Sequence, residues 1–241
     1  MISKFDDFHR IWVRSGIVAI NKRSYTTTLL DTDTAPPLSG AKTVLLIATD
    51  GSGTKDGVGG WGYTMQRVKK GEESSASSRS HSTAVTEECG RVVTNTSQPE
   101  YLGAKRGTNN TAEITAVEKS LRRAAMLTRP RTEEVLLLAD SRLALNTTDG
   151  TWSARKNKAL VASSKAALNA LRRRGVVVRL QHVRAHEGHA MNERADRLAK
   201  RGAQGLRERD GRFYDPPGPP TLPSLHPPLT SPTLPPDTVP D

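Results

Sequence analysis

Residues 44–53 read VLLIATDGSG, and residues 59–63 read GGWGY a few positions later. The apolar, β-branched run predicts a buried strand that ends on Asp50, and the glycines allow the chain to turn back as a second strand. Aspartate followed by glycine is also common turn chemistry, and for this stretch alone that interpretation is the stronger one. A functional role for Asp50 therefore depends on matching carboxylates elsewhere in the chain.

The composition favours a polyanionic partner. The chain has 241 residues, a formal net charge of +11 and a pI near 10.1. Such basicity is typical of nucleic-acid binding, although a merely soluble basic protein has the same balance. The single cysteine, Cys89, excludes an internal disulfide and a cysteine-based metal cage. No apolar run approaches the ~20 residues that span a bilayer, so we expect no membrane partner.

Three regions differ in composition. Residues 1–41 are basic and rich in hydroxyl side chains, which is compatible with a mitochondrial transit peptide, whereas Asp6 and Asp7 favour a disordered extension. Residues 42–205 contain the periodic segments and form the expected folded domain. We expect the protein to be a monomer. Its expected compartment is the nucleus or cytoplasm, with the mitochondrion as the alternative. Residues 206–241 form a proline-rich tail, either passive or a ligand for a proline-binding module.

The periodic segments predict an α/β domain with three strands, then a helix, a strand, two helices, a strand and a helix. A polar, serine-rich loop is expected over 69–82. The predicted elements are a hairpin over 43–68, a third strand within 83–95, a helix that Pro130 stops, a strand at 135–139, a short helix to Gly150, a helix over 156–174, a strand at 176–180 and a helix over about 190–202.

The helix before Pro130 has the clearest apolar face, with Ile114, Val117 and Leu121 at helical spacing. Asn110 is the predicted N-cap of this helix. Glu113 then falls at the third helical position, where it would close a capping box with Asn110.

Four acidic residues occupy positions that suit a shared site: Asp50 and Asp140 end strands, Glu113 lies in a first helical turn, and Asp196 lies in the last helix. Each also has a structural explanation. Asp50 suits a turn, Glu113 a capping box and Asp140 a helix cap. Asp196 could form an ion pair with a nearby cation (Arg194, Arg197 or Lys200). Ligands of α/β sheets collect at the carboxyl ends of the strands. Clustered carboxylates repel one another unless a cation such as Mg²⁺ joins them.

The motifs around these acids occur in one order: TDGSG at 49–53 with GGWG at 59–62, TNNTAE at 108–113, ADS at 139–141, and VRAHEGH at 183–189 with NERADRLA at 192–199. In that order they resemble the motifs of type 1 ribonuclease H, cellular or derived from a retroelement, over about residues 42–203. The resemblance implies the ribonuclease H-like fold, an α/β fold with a central five-stranded mixed sheet (three antiparallel strands, then two parallel) flanked by helices.

The resemblance also implies an activity, which is endonucleolytic hydrolysis of the RNA strand of an RNA–DNA hybrid with 5′-phosphate products. By that similarity Asp50, Glu113, Asp140 and Asp196 hold two Mg²⁺ ions, for which Mn²⁺ is the expected substitute, and such an ion pair clamps the attacking and leaving oxygens. His186 assists proton transfer or product release. The residues expected to contact the hybrid are Gly51, Ser52, Asn109, Asn110, Ser141, Asn192, Arg155 and Lys156. For Arg155 and Lys156 a solvated helix start is the alternative.

Two departures from the family pattern stand out. The short distance between Asp140 and Asn157 means that the extra basic helix that some family members carry is missing or reduced, which argues against tight, autonomous hybrid binding. The segment 69–107 is longer than a hairpin needs. The alternatives to a free-standing enzyme are a ribonuclease H domain of a retroelement polyprotein, a non-catalytic nucleic-acid-binding protein that keeps the fold, and another two-metal nuclease such as an integrase or resolvase.

Overall fold

The computed structural model describes residues 8–13, 16–21, 27–30, 43–69, 86–184 and 190–213. The strands are β1 Phe8–Val13, β2 Gly16–Asn21, β3 Thr27–Leu30, β4 Thr43–Gly53, β5 Gly59–Lys69, β6 Thr86–Arg91, β7 Glu133–Ala139, β8 Val177–His182, β9 Glu208–Arg209 and β10 Arg212–Phe213. The helices are α1 Asn109–Leu127, α2 Arg142–Asp149, α3 Lys158–Arg173 and α4 Ala190–Ala203.

The main sheet has the strand order β10-β9-β6-β5-β4-β7-β8. Strands β6, β5 and β4 pair antiparallel, and β4, β7 and β8 pair parallel. This confirms the expected α/β fold and the five predicted strands of its mixed sheet, which has seven strands in all. The two-residue strands β9 and β10 were not predicted, and they extend the same sheet beyond residue 205, where the expected domain ended.

A second, three-stranded antiparallel sheet contains β1, β2 and β3. These strands of the N-terminal extension were not predicted from the sequence. Nearly all of the expected serine-rich loop (70–82) and most of the proline-rich tail (214–241) lie outside the described residues. None of the helices in the described ranges is long and apolar enough to cross a bilayer.

The core lies on both faces of β4, because neighbouring side chains of a strand point to opposite faces. Leu45 and Ile47 pack in the larger apolar cluster with α1, α2 and α3. Val44 and Leu46 pack in a second cluster with Met191 of α4. Burial of each such side chain stabilises the fold by about 1.5–3 kcal/mol. The strand that carries Asp50 is therefore held by apolar packing on both of its faces.

Candidate active site

Three acidic side chains meet near the carboxyl ends of β4 and β7, two central strands of the main sheet. Asp50, Glu113 and Asp140 each offer a carboxylate oxygen that lies within 4.8 Å of the other two. Asp50 belongs to β4, which continues to Gly53 instead of ending on Asp50 as predicted, because residues 51–53 still pair with β5. Asp140 follows the last residue of the parallel strand β7, and Glu113 belongs to α1. The parallel pairing of β4 with β7 brings the two aspartates to the same edge. The structure thus brings together three of the four acids that were predicted to share a site.

Glycines let α1 approach β4 closely enough to complete this cluster. A Cβ atom on Gly51 would lie 2.2 Å from the backbone nitrogen of Glu113, and one on Gly53 would lie 2.3 Å from the backbone nitrogen of Asn109. No side chain fits at either separation. The expected contact residue Gly51 therefore has a structural role, which is to seat the first turns of α1 against the strand beside Asp50.

The N-cap of α1 is Thr108, and the prediction of Asn110 at that position is wrong. The Thr108 hydroxyl accepts a hydrogen bond from the backbone N–H of Thr111, and the Thr111 hydroxyl accepts one from the backbone N–H of Thr108. This reciprocal pair is the capping box of α1, two residues before the one that Asn110 and Glu113 were expected to form. Asn110 is exposed inside the helix, and the Glu113 carboxylate is free of any capping role.

Glu113 is held by two polar neighbours. The side-chain amide of Asn109 donates to Glu113 Oε1 at 2.9 Å, and the Ser141 side chain also forms a hydrogen bond with the carboxylate. Ser141 is itself the N-cap of α2, where its hydroxyl accepts from the backbone N–H of Ala144 at 3.2 Å. Asp140 is thus not the cap of that helix. The His182 ring contacts the backbone oxygen of Asp140 at 3.1 Å, which agrees with a structural role for His182.

The cluster is buried, and its electrostatics favour protonation. Asp50 is only 7% exposed, and burial together with the charge of Asp140 raises its pKa to about 7. Glu113 is 8% exposed, and burial together with the charges of Asp140 and Asp50 raises its pKa to about 8, against the hydrogen bonds from Ser141 and Asn109. Each carboxylate therefore carries a cost of ionisation that a bound cation would remove.

Asp196 lies beside this cluster rather than within it. Its charge contributes to the raised pKa of Asp50, and its Oδ2 accepts a hydrogen bond from Lys200 Nζ at 2.7 Å. The ion pair that served as the structural explanation of Asp196 is therefore present, with Lys200 as the partner. His186 lies in the segment 185–189, outside the described residues.

The expected hybrid contacts take different positions. Asn109 and Asn110 are exposed in the first turn of α1, and Ser52 is half-buried in β4. Asn192 is 5% exposed in the first turn of α4. Arg155 and Lys156 are exposed before α3 and make no hydrogen bond or ion pair within the described part of the chain. Their exposure fits both a solvated helix start and contact with phosphate.

Two relevant residues were not predicted from the sequence. Lys200 lowers the pKa of Asp50 in opposition to the neighbouring acids, whereas the sequence suggested it only as one of three cations that could pair with Asp196. Trp152 is 46% exposed between α2 and α3. The available signal was a tryptophan two residues after Gly150 and three before Arg155, since exposed aromatic side chains close to cations suit stacking on nucleic acid bases.

The cluster fits a hard divalent cation. All of its donors are carboxylate oxygens, the ligands that Mg²⁺ and Ca²⁺ prefer. The oxygens are already close in space, and the repulsion between them would become attraction to a shared ion. Softer metals are disfavoured because the cluster contains neither a thiolate nor an imidazole.

The middle of the chain is similar to known proteins. Residues 42–204 match the family model described as RNase H. A protein of Tropheryma whipplei (strain Twist) named Ribonuclease H is 34% identical over an alignment of 122 residues, and the alignment covers 46% of this chain and 70% of that protein. A Chromobacterium violaceum protein of the same name is 34% identical over 119 residues, 45% of this chain and 78% of that protein. The crystal structure of RNase H1 from the halophilic archaeon Halobacterium salinarum NRC-1 is 22% identical, with a TM-score of 0.45, and the alignment covers 67% of this chain and 98% of that one.

Proposed function

Because the chain belongs to the RNase H family, we propose that it is a type 1 ribonuclease H, an endonuclease that hydrolyses the RNA strand of RNA–DNA hybrids. The observation that carries this proposal is the convergence of Asp50, Glu113 and Asp140, whose oxygens lie within 4.8 Å of one another at the carboxyl ends of β4 and β7. In α/β sheets, ligands bind at the carboxyl ends of the strands.

Asp50, Glu113 and Asp140 are the residues that would hold the metal, and Asp196 would complete the set at its margin. When bound, a Mg²⁺ pair lowers the pKa of an attacking water and stabilises the departing 3′ oxygen of the scissile phosphodiester. Burial shields Asp50 and Glu113 from water, and Asn109 and Ser141 orient Glu113. Asp196 is paired with Lys200, so a bound metal would compete with Lys200 for this carboxylate.

Recognition of the RNA strand would come from groups at the entrance of the site. Asn109 and Asn110 are exposed amides on the first turn of α1, and short donor–acceptor side chains suit the 2′-hydroxyls in the wide, shallow groove of a hybrid. His186 is proposed to assist proton transfer or product release near the metal ligands, as the family motif VRAHEGH at 183–189 suggests.

A role in binding alone is less consistent with the site. Burial and mutual repulsion raise the pKa of Asp50 and of Glu113, so the cluster costs folding free energy at neutral pH. A phosphate-binding surface would place cations at that edge instead. The buried acids have a use when a metal is part of the chemistry.

The test is cleavage of an end-labelled RNA–DNA hybrid by the purified chain with Mg²⁺, with and without a chelator. We expect internal cuts in the RNA, 5′-phosphate ends, and no cutting of double-stranded DNA or single-stranded RNA. Asp50→Asn serves as the matched inactive control. Cutting that persists in chelator, or in Asp50→Asn, would show that the activity does not arise from this site.

A further inference from the structure

We propose that five arginines at the end of the domain opposite the carboxylates bind the phosphate backbone of a second nucleic-acid segment. We name this surface the arginine pole, and its members are Arg129, Arg131, Arg172, Arg173 and Arg174. The proposal rests on the proposed function in one respect, which is that a first nucleic-acid segment would be bound at Asp50, Glu113 and Asp140.

The pole forms where α1 and α3 both end. Arg174, just after α3, donates from Nη2 to the backbone oxygen of Thr128 at 3.3 Å and also donates to the backbone oxygen of Ala125. A Cβ atom on Gly175 would lie 3.9 Å from Cγ of Arg131. The loop after α1 and the turn after α3 are therefore neighbours, and the arginines of both form one surface.

The pole is far from the carboxylate cluster. Helix α1 has 19 residues and carries Glu113 near its start and the pole just beyond its end. At 1.5 Å per residue the helix is about 28 Å long. A nucleic acid at the pole would therefore be a different segment from the one whose phosphodiester lies at the carboxylates.

The positive charge of the pole is not neutralised by neighbouring acids. All five arginines are exposed, and in the described ranges no carboxylate pairs with the guanidinium of Arg129, Arg131, Arg172 or Arg173. The nearby Glu133 accepts from the backbone N–H of Arg129 at 2.8 Å, but its ion pair is with Arg67 at 3.0 Å. The guanidinium groups of the pole are thus available to an external anion.

Stabilisation of helix ends accounts for only part of this charge. The carboxyl end of a helix carries about half a negative charge, so two helix ends supply about one in total. Arg174 meets that requirement directly through the carbonyls of α1. About four positive charges remain, and guanidinium groups bind phosphate through paired, charge-assisted hydrogen bonds.

The chemistry of the pole favours nucleic acid over an acidic protein. Cores of protein–protein interfaces are depleted in charged residues and enriched in aromatic ones, and the pole contains no aromatic side chain. Among the described residues, the exposed apolar side chain close by is Met126, in the last turn of α1. An acidic protein that covers Met126 is therefore the competing partner, and the experiment separates the two.

The experiment measures binding by the full chain carrying Asp50→Asn, so that the hybrid is not cut. Two labelled probes are compared, namely a hybrid of about 10 base pairs, about 34 Å long, and the same hybrid with a single-stranded DNA extension long enough to reach the pole. We expect the extended probe to bind more tightly than the short one. Arg172→Gln/Arg173→Gln should remove most of this gain in affinity. The logarithmic salt slope for the extended probe should become shallower by about 1.4, which is about 0.7 for each lost contact with single-stranded phosphate.

The matched control, Arg91→Gln/Arg212→Gln, removes two exposed cations from β6 and β10. It should keep both the gain in affinity from the extension and the salt slope of the parent. An equal gain from the extension in the Arg172/Arg173 variant and in its parent would overturn the proposal and leave an acidic protein as the partner to seek. With Asp50 restored, Arg172→Gln/Arg173→Gln should cut the short hybrid at a rate within about twofold of the parent, since surface charges far from a site act weakly on it. Failure of the proposed cleavage activity would not alter the binding comparison, so the two proposals fail separately.

Discussion

The side-chain amide of Asn109 donates a 2.9 Å hydrogen bond to Oε1 of Glu113, so an exposed residue fixes the direction of a buried carboxylate. The two residues are one helical turn apart on α1. Asn109 is also one of the residues proposed to contact the hybrid, so the same amide would serve both the groove of the hybrid and the metal site.

Loss of this amide should weaken metal binding. Asn109→Ala leaves Glu113 without one of its two orienting partners, and loss of such a supporting hydrogen bond typically costs 10- to 100-fold in metal affinity or activity, so we expect about a tenfold rise in the Mg²⁺ dissociation constant. Titration calorimetry with Mg²⁺ in the absence of nucleic acid measures this. Asn110→Ala, the exposed neighbour, is the control and should affect only the KM for hybrid. Equal metal affinities in the two variants would contradict the orienting role.

Neutralising a metal-holding aspartate should abolish cleavage without unfolding the chain. Asp50→Asn and Asp140→Asn keep the size of the side chain and remove its charge, so each should lower kcat by more than about 100-fold, beyond the usual cost of losing a supporting hydrogen bond. Circular dichroism and thermal unfolding should show an intact fold. If either variant cuts the hybrid at the parental rate, the assignment of the site is wrong.

The stability of the metal-free protein should fall as the pH rises. Aspartate and glutamate side chains ordinarily have pKa values of 3.8 and 4.5, and burial with mutual repulsion raises the pKa of Asp50 to about 7 and that of Glu113 to about 8 in the fold. The folded state therefore binds more protons than the unfolded state between about pH 4 and pH 8, and protein stability decreases across that window. In thermal unfolding with chelator, the Tm of the parent should fall more steeply with rising pH than the Tm of Asp50→Asn. Added Mg²⁺ should raise the Tm more at pH 8 than at pH 5.5.

An added methyl group at Gly51 should separate α1 from β4. Its Cβ would lie 2.2 Å from the backbone nitrogen of Glu113, which cannot be relieved by rotating a side chain. We expect Gly51→Ala to destabilise the fold by about 1–3 kcal/mol or more and to weaken Mg²⁺ binding. Gly90→Ala, where the nearest atom is 3.0 Å away on the Trp61 side chain, should cost less. Urea unfolding of both variants supplies the comparison.

Removal of Lys200 should tighten metal binding with little change in stability. Its ion pair with Asp196 is exposed on the lysine side, and such pairs contribute about 0–1 kcal/mol. One positive charge fewer near the carboxylates should lower the Mg²⁺ dissociation constant in Lys200→Gln by about twofold to threefold. The effect should shrink at high salt. A weaker metal affinity in this variant would mean that Lys200 supports the site rather than opposing it.

The sequence was sufficient for the elements with strong periodicity and for the acids at their ends. The buried run of β4 and the apolar face of α1 predicted the layers. The strand ends expected at Asp50 and Asp140 predicted two members of the cluster, although β4 itself continues to Gly53. The N-cap was not predicted correctly because Thr111 takes the place of the usual glutamate or glutamine in the capping box. From a single sequence that substitution cannot be distinguished from an ordinary helical threonine.

Other features depend on contacts between distant parts of the chain. Strands β9 and β10 have two residues each, too few to show any alternation, and they form because β6 offers an open edge. The pairing of Asp196 with Lys200 rather than with Arg194 follows from the bidentate contact of Arg194 with Glu87 of β6. No local pattern predicts which of several nearby cations remains available.

The short strand β9 shields the unpaired side of β6. Arg209 lies opposite Glu88 and bonds to it at 2.6 Å, and Arg201 holds Glu208 at 2.7 Å. A chain truncated after residue 205 would keep every acid of the cluster but would leave the backbone donors and acceptors of Glu88 and Cys89 uncovered. Bare edges of this kind recruit strands from other molecules. Self-association, rather than loss of catalytic groups, is therefore the defect to expect of such a shortened protein.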